Sequence, residues 1–302
     1  MRDREDMPTN DAHGAVVVGY DDTAHSRLAL DWAAHHAATR HRALLIVHAI
    51  APPHVRDSVG IGMSELRKEM RVIGRRSLDG ALARVQAVEP GVEVRVHLAF
   101  GATHEVLLDS LGGAHLLVVG SRGRGTLASL VLGSVSARIA GAAPVAVAVV
   151  RRAEARSDSP TFSGHVAVGV DGSALSLAAL DLAFALADER GAGVGVVHSW
   201  GAAAVRRDLT SSEQRRATVE EHELQVAESL AGLAEKYPDV EVATHQAEED
   251  PRRALVEASR YADLLVVGSR GRGATASAVL GSVSRHVVEH AHCPVLVVRD
   301  PD

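Results

Sequence analysis

Two glycine-rich segments carry the strongest chemical signal in the chain. Gly120, Gly123, Gly133 and Ser134 recur as Gly268, Gly271, Gly281 and Ser282, each set spaced G-x2-G-x9-G-S. Each follows an apolar, strand-like run and leads into a helical pattern. A loop of this kind exposes backbone N–H groups and admits a phosphate without Cβ interference. It delivers the anion to the positive end of the helix that starts near Ser134 or Ser282. Ser134, Ser136, Ser282 and Ser284 can add hydroxyl donors, and Arg122, Arg124, Arg270 and Arg272 supply charge. The plain alternative is a tight strand-to-helix connection. SRGRG and LGSVS recurring together in both copies argue against a bare turn. The only two lysines, Lys68 and Lys236, are far from either loop, which excludes a P-loop NTPase.

A carboxylate stands just after the first strand of each half, Asp21 in VVVGYDD and Asp171 in VAVGVDG. Its modest reading is the N-cap of the following helix. Its functional reading is positional, because open parallel sheets bind ligands at the carboxyl ends of strands where the strand order reverses. If strand one neighbours strand four, Asp21 and the loop from Gly120 share a crevice. The carboxylate then meets the polar groups of a nucleoside while the loop holds its phosphates. Asp22 stands where the second half has Gly172, and a second carboxylate beside a polyanion either weakens phosphate binding or recruits a divalent cation.

The elements that position these residues are written twice. AHLLVVGSRGRGTLASLVLGSVS (114–136) returns as ADLLVVGSRGRGATASAVLGSVS (262–284), identical at nineteen of 23 positions. The same register pairs VVVGYDDTAHSRLALDWA with VAVGVDGSALSLAALDLA, LLIVHA with VGVVHS, and APVAVAVV with CPVLVV. The chain therefore reads as an N-terminal tail (1–13), a first domain (14–151), a polar linker (152–163) and a second domain (164–302). Strand-like runs alternate with helical patterns, as in a βαβ parallel sheet. First-lobe strands are expected near 15–19, 43–49, 92–98, 115–119 and 145–150. A helix is expected over 64–88, with Leu66, Met70, Ile73, Leu78, Leu82 and Val85 on one stripe. Its second-lobe counterpart begins at Thr210, with Glu213 completing a capping box.

VVVG, LLIV and LLVV are apolar throughout, as for strands covered on both faces, whereas VEVRVHL alternates and reads as an edge. The fifth strand of each lobe is apolar and last in its lobe, so the two fifth strands are expected to join the lobes into an intrachain pseudo-dimer. A further homodimer of whole chains is compatible with this reading. The 302 residues are 46% hydrophobic and 23% charged, with net charge −6 and no basic tract, so no nucleic-acid partner is expected. No apolar run approaches the ~20 residues that span a bilayer. The charged start MRDREDMPTN lacks an apolar leader, and Cys293 is the single cysteine, so a cytoplasmic address is expected. His286 and His290 lie four apart near Cys293, a metal-ligating spacing. The matching first-lobe segment has neither residue type, which favours a buried cysteine at a strand entrance. No H-x-E or HExxH arrangement occurs among the 17 histidines, and no catalytic metal is expected.

VG-x-D after strand one, VHA or VHS at strand two, the full glycine motif and PV before an apolar fifth strand occur in this order twice. Over 14–151 and 164–299 the chain thus resembles a tandem universal stress protein of the ATP-binding type. The resemblance implies an α/β fold: two Rossmann-like domains of the adenine nucleotide alpha hydrolase-like kind. Each has a five-stranded parallel sheet of order 3-2-1-4-5 with helices on both faces, and ATP, with or without Mg, at the carboxyl edge. It implies Gly19, Asp21, Gly169 and Asp171 at the nucleoside end, with the backbones of Ala49 and Ser199 holding adenine. Around ribose and phosphates it implies Val119, Gly120, Ser121, Arg122, Gly123, Arg124, Gly125, Thr126, Gly133, Ser134, Val135 and Ser136. In the second lobe it implies Val267, Gly268, Ser269, Arg270, Gly271, Arg272, Gly273, Ala274, Gly281, Ser282, Val283 and Ser284. The expected function is stress response or growth regulation through nucleotide-dependent conformation or partner choice. A slow ATPase or phosphotransfer enzyme of the same fold is the alternative; neither GSRGRG contains an acid to serve as base. A charged residue at Val147 or Val297 is expected to loosen lobe pairing. Unchanged limited proteolysis and small-angle scattering would exclude strand five as the contact.

Overall fold

A computed structural model of the chain describes residues 11–51, 63–121, 133–152, 162–199, 212–271 and 280–299. It divides into two units, Met1–Arg151 and Arg152–Asp302. The first runs β1 (Val16–Gly19), α1 (Ala24–Thr39), β2 (Leu44–Ile50), α2 (Met63–Val88), β3 (Val94–Phe100), α3 (Thr103–Asp109), β4 (Leu116–Gly120), α4 (Ser134–Ala142) and β5 (Ala146–Val150). The second runs β6 (Val166–Gly169), α5 (Ala174–Arg190), β7 (Val194–Ser199), α6 (Ser212–Leu230), a one-turn α7 (Leu233–Lys236), β8 (Val242–Ala247), α8 (Pro251–Ala258), β9 (Leu264–Gly268), α9 (Ser282–His290) and β10 (Val295–Val298).

Within the first unit every strand pairing is parallel, giving the order β3-β2-β1-β4-β5. The second unit repeats it as β8-β7-β6-β9-β10. Parallel neighbours need a crossover, and the helices supply it. Register shows that the helices cover both faces. His48 and Ile50 share one face of β2 and lie under Gly74 of α2. Gly19, in register with Val47, turns to the opposite face and meets Leu107 of α3. This double cover is why VVVG, LLIV and LLVV are almost wholly buried.

At the edge, β3 pairs among the described residues only with β2 and has no buried residue, with Val96 48% exposed. The long helix departs from the expected stripe at one position. Ile73 is 60% exposed, and the buried line instead passes through Gly74, Leu78, Ala81 and Val85. The reason is close packing: a Cβ at Gly74 would come within 2.7 Å of Leu98 and 3.1 Å of Ile50, so the glycine seats the helix on β2 and β3. A hydrophobicity count passes over such a residue. Thr210, the expected start of the second-lobe counterpart, lies outside the described residues, and that helix runs from Ser212. The side chain of Glu213 is likewise outside them.

Phe162 is buried, and its ring lies against Gly195 of β7 and edge-on to His245 of β8. The first lobe has Leu45 at the equivalent of Gly195. Gly195→Val is therefore expected to destabilise the second unit by about 1–3 kcal/mol, despite the better strand propensity of valine; urea unfolding measures it. His115 stacks near His36, which stacks on Trp32. Burial, then Arg42 and Arg40, pull the His115 pKa down to about 4. The unfolded chain takes up this proton near 6.5 and the folded chain only near 4. The contribution of this group to stability is thus complete above pH 6.5 and is lost as pH falls toward 4. His115→Gln is expected to flatten this part of the stability–pH curve in thermal melts.

Candidate functional site

The strand order reverses between β1 and β4: β1 leads in sequence to β2 on one side and pairs with β4 on the other. Open parallel sheets bind ligands outside the carboxyl ends of the strands at such a point. Asp21 follows the carboxyl end of β1. Its Oδ1 accepts from the Thr23 backbone N–H (3.2 Å) and the Thr23 hydroxyl (2.7 Å). Asp171 repeats this with the Ser173 N–H (3.0 Å) and hydroxyl (2.6 Å). The N-caps themselves are Thr23 and Ser173, which accept from the Ser26 and Ser176 N–H groups. The N-cap reading of the aspartates is thereby corrected. Each carboxylate sits two residues before the cap and fastens it, because the intervening residue turns the chain.

That intervening residue is in the left-handed region in both lobes, Asp22 at φ 62° and Gly172 at φ 78°. Glycine enters this region freely and aspartate tolerates it better than most side chains. The Asp22 carboxylate accepts from the Tyr20 hydroxyl (2.8 Å) and from Arg27 (3.0 Å). Burial first, and then Asp22, raise the Tyr20 pKa. The Asp22 carboxylate is thus paired with Arg27 of the first turn of α1.

The base of the glycine loop has the same geometry in both lobes. Ser121 N–H donates to the Val150 carbonyl (2.8 Å), and Gly133 N–H donates to the Ser121 carbonyl (2.9 Å). Ser269 to Val298 and Gly281 to Ser269 repeat these bonds at 2.8 Å each. A Cβ at Gly120 would lie 2.8 Å from the backbone carbonyl of His25 in α1, and one at Gly268 would lie 3.0 Å from Leu175 in α5. Helices α4 and α9 then start from Gly133 and Gly281, and neither N-cap has a side-chain capping bond. Their first-turn N–H groups are the kind of donor an anion satisfies.

In the second lobe the glycine loop approaches the carboxylate directly. Gly271 leaves no room for a Cβ against Oδ2 of Asp171, so the loop and the carboxylate expected to share a crevice do meet. The first-lobe equivalent, Gly123, lies outside the described residues, as do Arg122, Arg124, Gly125, Thr126, Arg272, Gly273 and Ala274, and the side chain of Ser134. Two hydroxyls expected as phosphate donors are engaged otherwise. Ser136 Oγ donates to the Gly120 carbonyl (2.8 Å) and Ser284 Oγ to the Gly268 carbonyl (2.6 Å), tying the helix start to the strand end. Val119, Ser121, Val267 and Ser269 are buried and shape the loop base rather than its surface. Ser282, Val283, Val135 and Arg270 keep exposure at the rim. Ala49 and Ser199 lie at the ends of β2 and β7, and the Ser199 hydroxyl donates to the Glu249 carbonyl (2.6 Å).

Two features escaped the sequence reading. His48 and His198 are buried, and each Nδ1 meets the carbonyl of the residue after the first strand, Tyr20 at 2.8 Å and Val170 at 2.7 Å. The acceptor is a carbonyl, so Nδ1 carries the proton and pins the loop bearing Asp21 or Asp171. The repeated VH pair was the available signal. Gln225 of α6 donates to the Asp171 carbonyl (3.2 Å), for which no spacing gave notice. Cys293, as expected, is buried at the entrance of β10, its Sγ 3.4 Å from the Pro294 carbonyl oxygen.

The sequence model of the universal stress protein family matches residues 13–151 and again 163–299. Universal stress protein Rv2005c of Mycobacterium tuberculosis is 36% identical over 298 residues, covering 95% of this chain and 97% of that protein. Universal stress protein Rv2623 of the same organism is 34% identical over 304 residues, covering 97% and 99%. A universal stress protein from Archaeoglobus fulgidus has the same fold at 20% identity, with a TM-score of 0.67 over 94% of this chain and 98% of its own. Matched in both halves by the family model, and nearly end to end by relatives above 30% identity, the chain belongs to the universal stress protein family.

Proposed function

We propose that each lobe binds one ATP in the crevice between β1 and β4, or between β6 and β9, and that occupancy sets conformation or partner choice in a stress response. The observation that carries this reading is the contact of Gly271 with the Asp171 carboxylate. It brings the phosphate-type loop and the nucleoside-type carboxylate to one place at the carboxyl edge of a parallel sheet. The donor chemistry fits the ligand. Helices α4 and α9 begin at glycines without side-chain caps, and two glycines stand where a Cβ would strike the neighbouring helix. In this reading the N–H groups at the start of α4 and α9 receive phosphate, with Arg270 at the rim. Asp21 and Asp171 face the ribose, and the backbones of Ala49 and Ser199 receive the base. A magnesium ion, where present, would neutralise phosphate charge.

Binding is preferred to fast catalysis for a chemical reason. Phosphoryl transfer needs a positioned base and a carboxylate to hold metal beside the terminal phosphates. Asp21 and Asp171 are the acids at the crevice, and their Oδ1 atoms fasten the N-caps of α1 and α5. Turnover well above about one per second would put the chain among ordinary enzymes and end this preference.

Replacing Gly271 by leucine drives a side chain into the space beside Asp171. It is expected to remove one ATP from the calorimetric stoichiometry while leaving the circular dichroism unchanged. Gly123→Leu is expected to do the same in the first lobe, and the double variant to bind none. Unchanged stoichiometry in the double variant refutes the assignment. Mass spectrometry of small molecules released from the denatured protein identifies the base.

A further inference from the structure

We propose that helix α2 of one chain docks antiparallel on helix α6 of a second copy, with Val72 against Leu224. The two helices hold equivalent places in the duplicated plan but turn opposite charge to solvent. Val72 is 50% exposed and Leu224 60%, and each is the centre of a charged surround. Around Val72 stand Lys68 at i−4, Arg71 at i−1, Arg75 at i+3 and Arg76 at i+4, all exposed. Around Leu224 stand Glu220 at i−4, Glu221 at i−3, Glu223 at i−1 and Glu228 at i+4, also exposed. Residues three and four apart share a helix face, so each apolar side chain is flanked by charge of one sign. The one departure is Glu69, at i−3 from Val72.

Antiparallel packing runs one index against the other and thereby matches these charges. With Val72 opposite Leu224, Lys68 faces Glu228, Arg75 faces Glu221 and Arg76 faces Glu220. Glu69 then falls opposite Ala227. Parallel packing would set Glu69 against Glu221 and leave Arg75 opposite Ala227, which is why the antiparallel sense is assigned.

An exposed apolar centre with a charged rim is the anatomy of a partner surface. Ile73, also exposed, widens the apolar part on α2. Among the described residues no ion pair engages Arg75, Arg76, Glu220, Glu221 or Glu223, so their charge is not neutralised within the chain. Lys68 meets Glu65 at 3.4 Å in an exposed pair of the weak kind. The complement of each face is carried by every other copy of the chain, so no foreign partner is required. Each copy offers one face of each kind, which makes the contact heterologous.

Sedimentation velocity of the tag-free full-length chain over a range of concentrations tests the contact. The average mass is expected to rise with concentration at low salt and to fall at about 1 M salt, where the screening length is about 3 Å. Arg75→Glu with Arg76→Glu, and separately Glu220→Arg with Glu221→Arg, are each expected to weaken association by about tenfold or more, because like charges then face each other. Circular dichroism is expected to stay unchanged in both. An equimolar mixture of the two double variants is expected to associate again, since each reversed face meets its reversed complement. A mass independent of concentration overturns the proposal, as do double variants that associate like the unaltered chain or a mixture that stays monomeric. A monomeric chain whose α2 face instead binds vesicles of anionic lipid assigns that face to a membrane and likewise overturns it.

Discussion

In both lobes the first helix is pressed so closely onto the end of the fourth strand that a Cβ at Gly120 or Gly268 would strike its backbone or first side chain atoms. Everything at the carboxyl edge depends on this approach. Because the helix starts there, its cap residues Thr23 and Ser173 lie two positions before the residues that meet Gly120 and Gly268. The carboxylate two residues before the cap is fastened by it through Oδ1, and in the second lobe its other oxygen lies against Gly271. The serine hydroxyls of α4 and α9 then close the other side by bonding to the glycine carbonyls. Each polar group so placed has a partner in a region that burial would otherwise make costly.

Duplication has kept these contacts and released others. The aspartate-to-cap bonds, the buried histidine behind the loop and the serine-to-glycine tie occur in both lobes with nearly equal distances. Away from the crevice the copies have separated. Tyr20, Asp22 and Arg27 make a charged latch in the first lobe where the second has Val170, Gly172 and Leu177. His115 answers to Asp263, and Arg138 to His286. Phe162 fills the space that the side chain of Leu45 occupies in the other copy by position. Contacts that shape a loop tolerate little change, whereas outward positions exchange charge at small cost.

Much of this architecture is legible along the chain. The repeat fixes two lobes, apolar runs mark strands covered on both faces, and the alternation of VEVRVHL marks an edge. The expected strands fall within two residues of β1 to β5. Where the reading strays, the cause is a residue whose role comes from a neighbour distant in sequence. Ile73 fits a helical stripe by hydrophobicity, yet Gly74 is the residue that touches the sheet. Ser136 and Ser284 look like phosphate donors by residue type, yet a strand-end carbonyl claims their protons.

The sequence by itself determined the duplicated α/β plan, the order of strands and helices, and the residue types gathered at each strand end. Local periodicity and a repeat need no knowledge of what lies across the fold. Only the tertiary structure decided which groups meet: Gly271 against Asp171, His48 under Tyr20, and Gln225 on the Asp171 carbonyl. Those contacts join residues from about 30 to 100 positions apart, brought together by parallel pairing across crossover helices. No local pattern encodes such a meeting, because it is set by how closely a helix can approach a sheet.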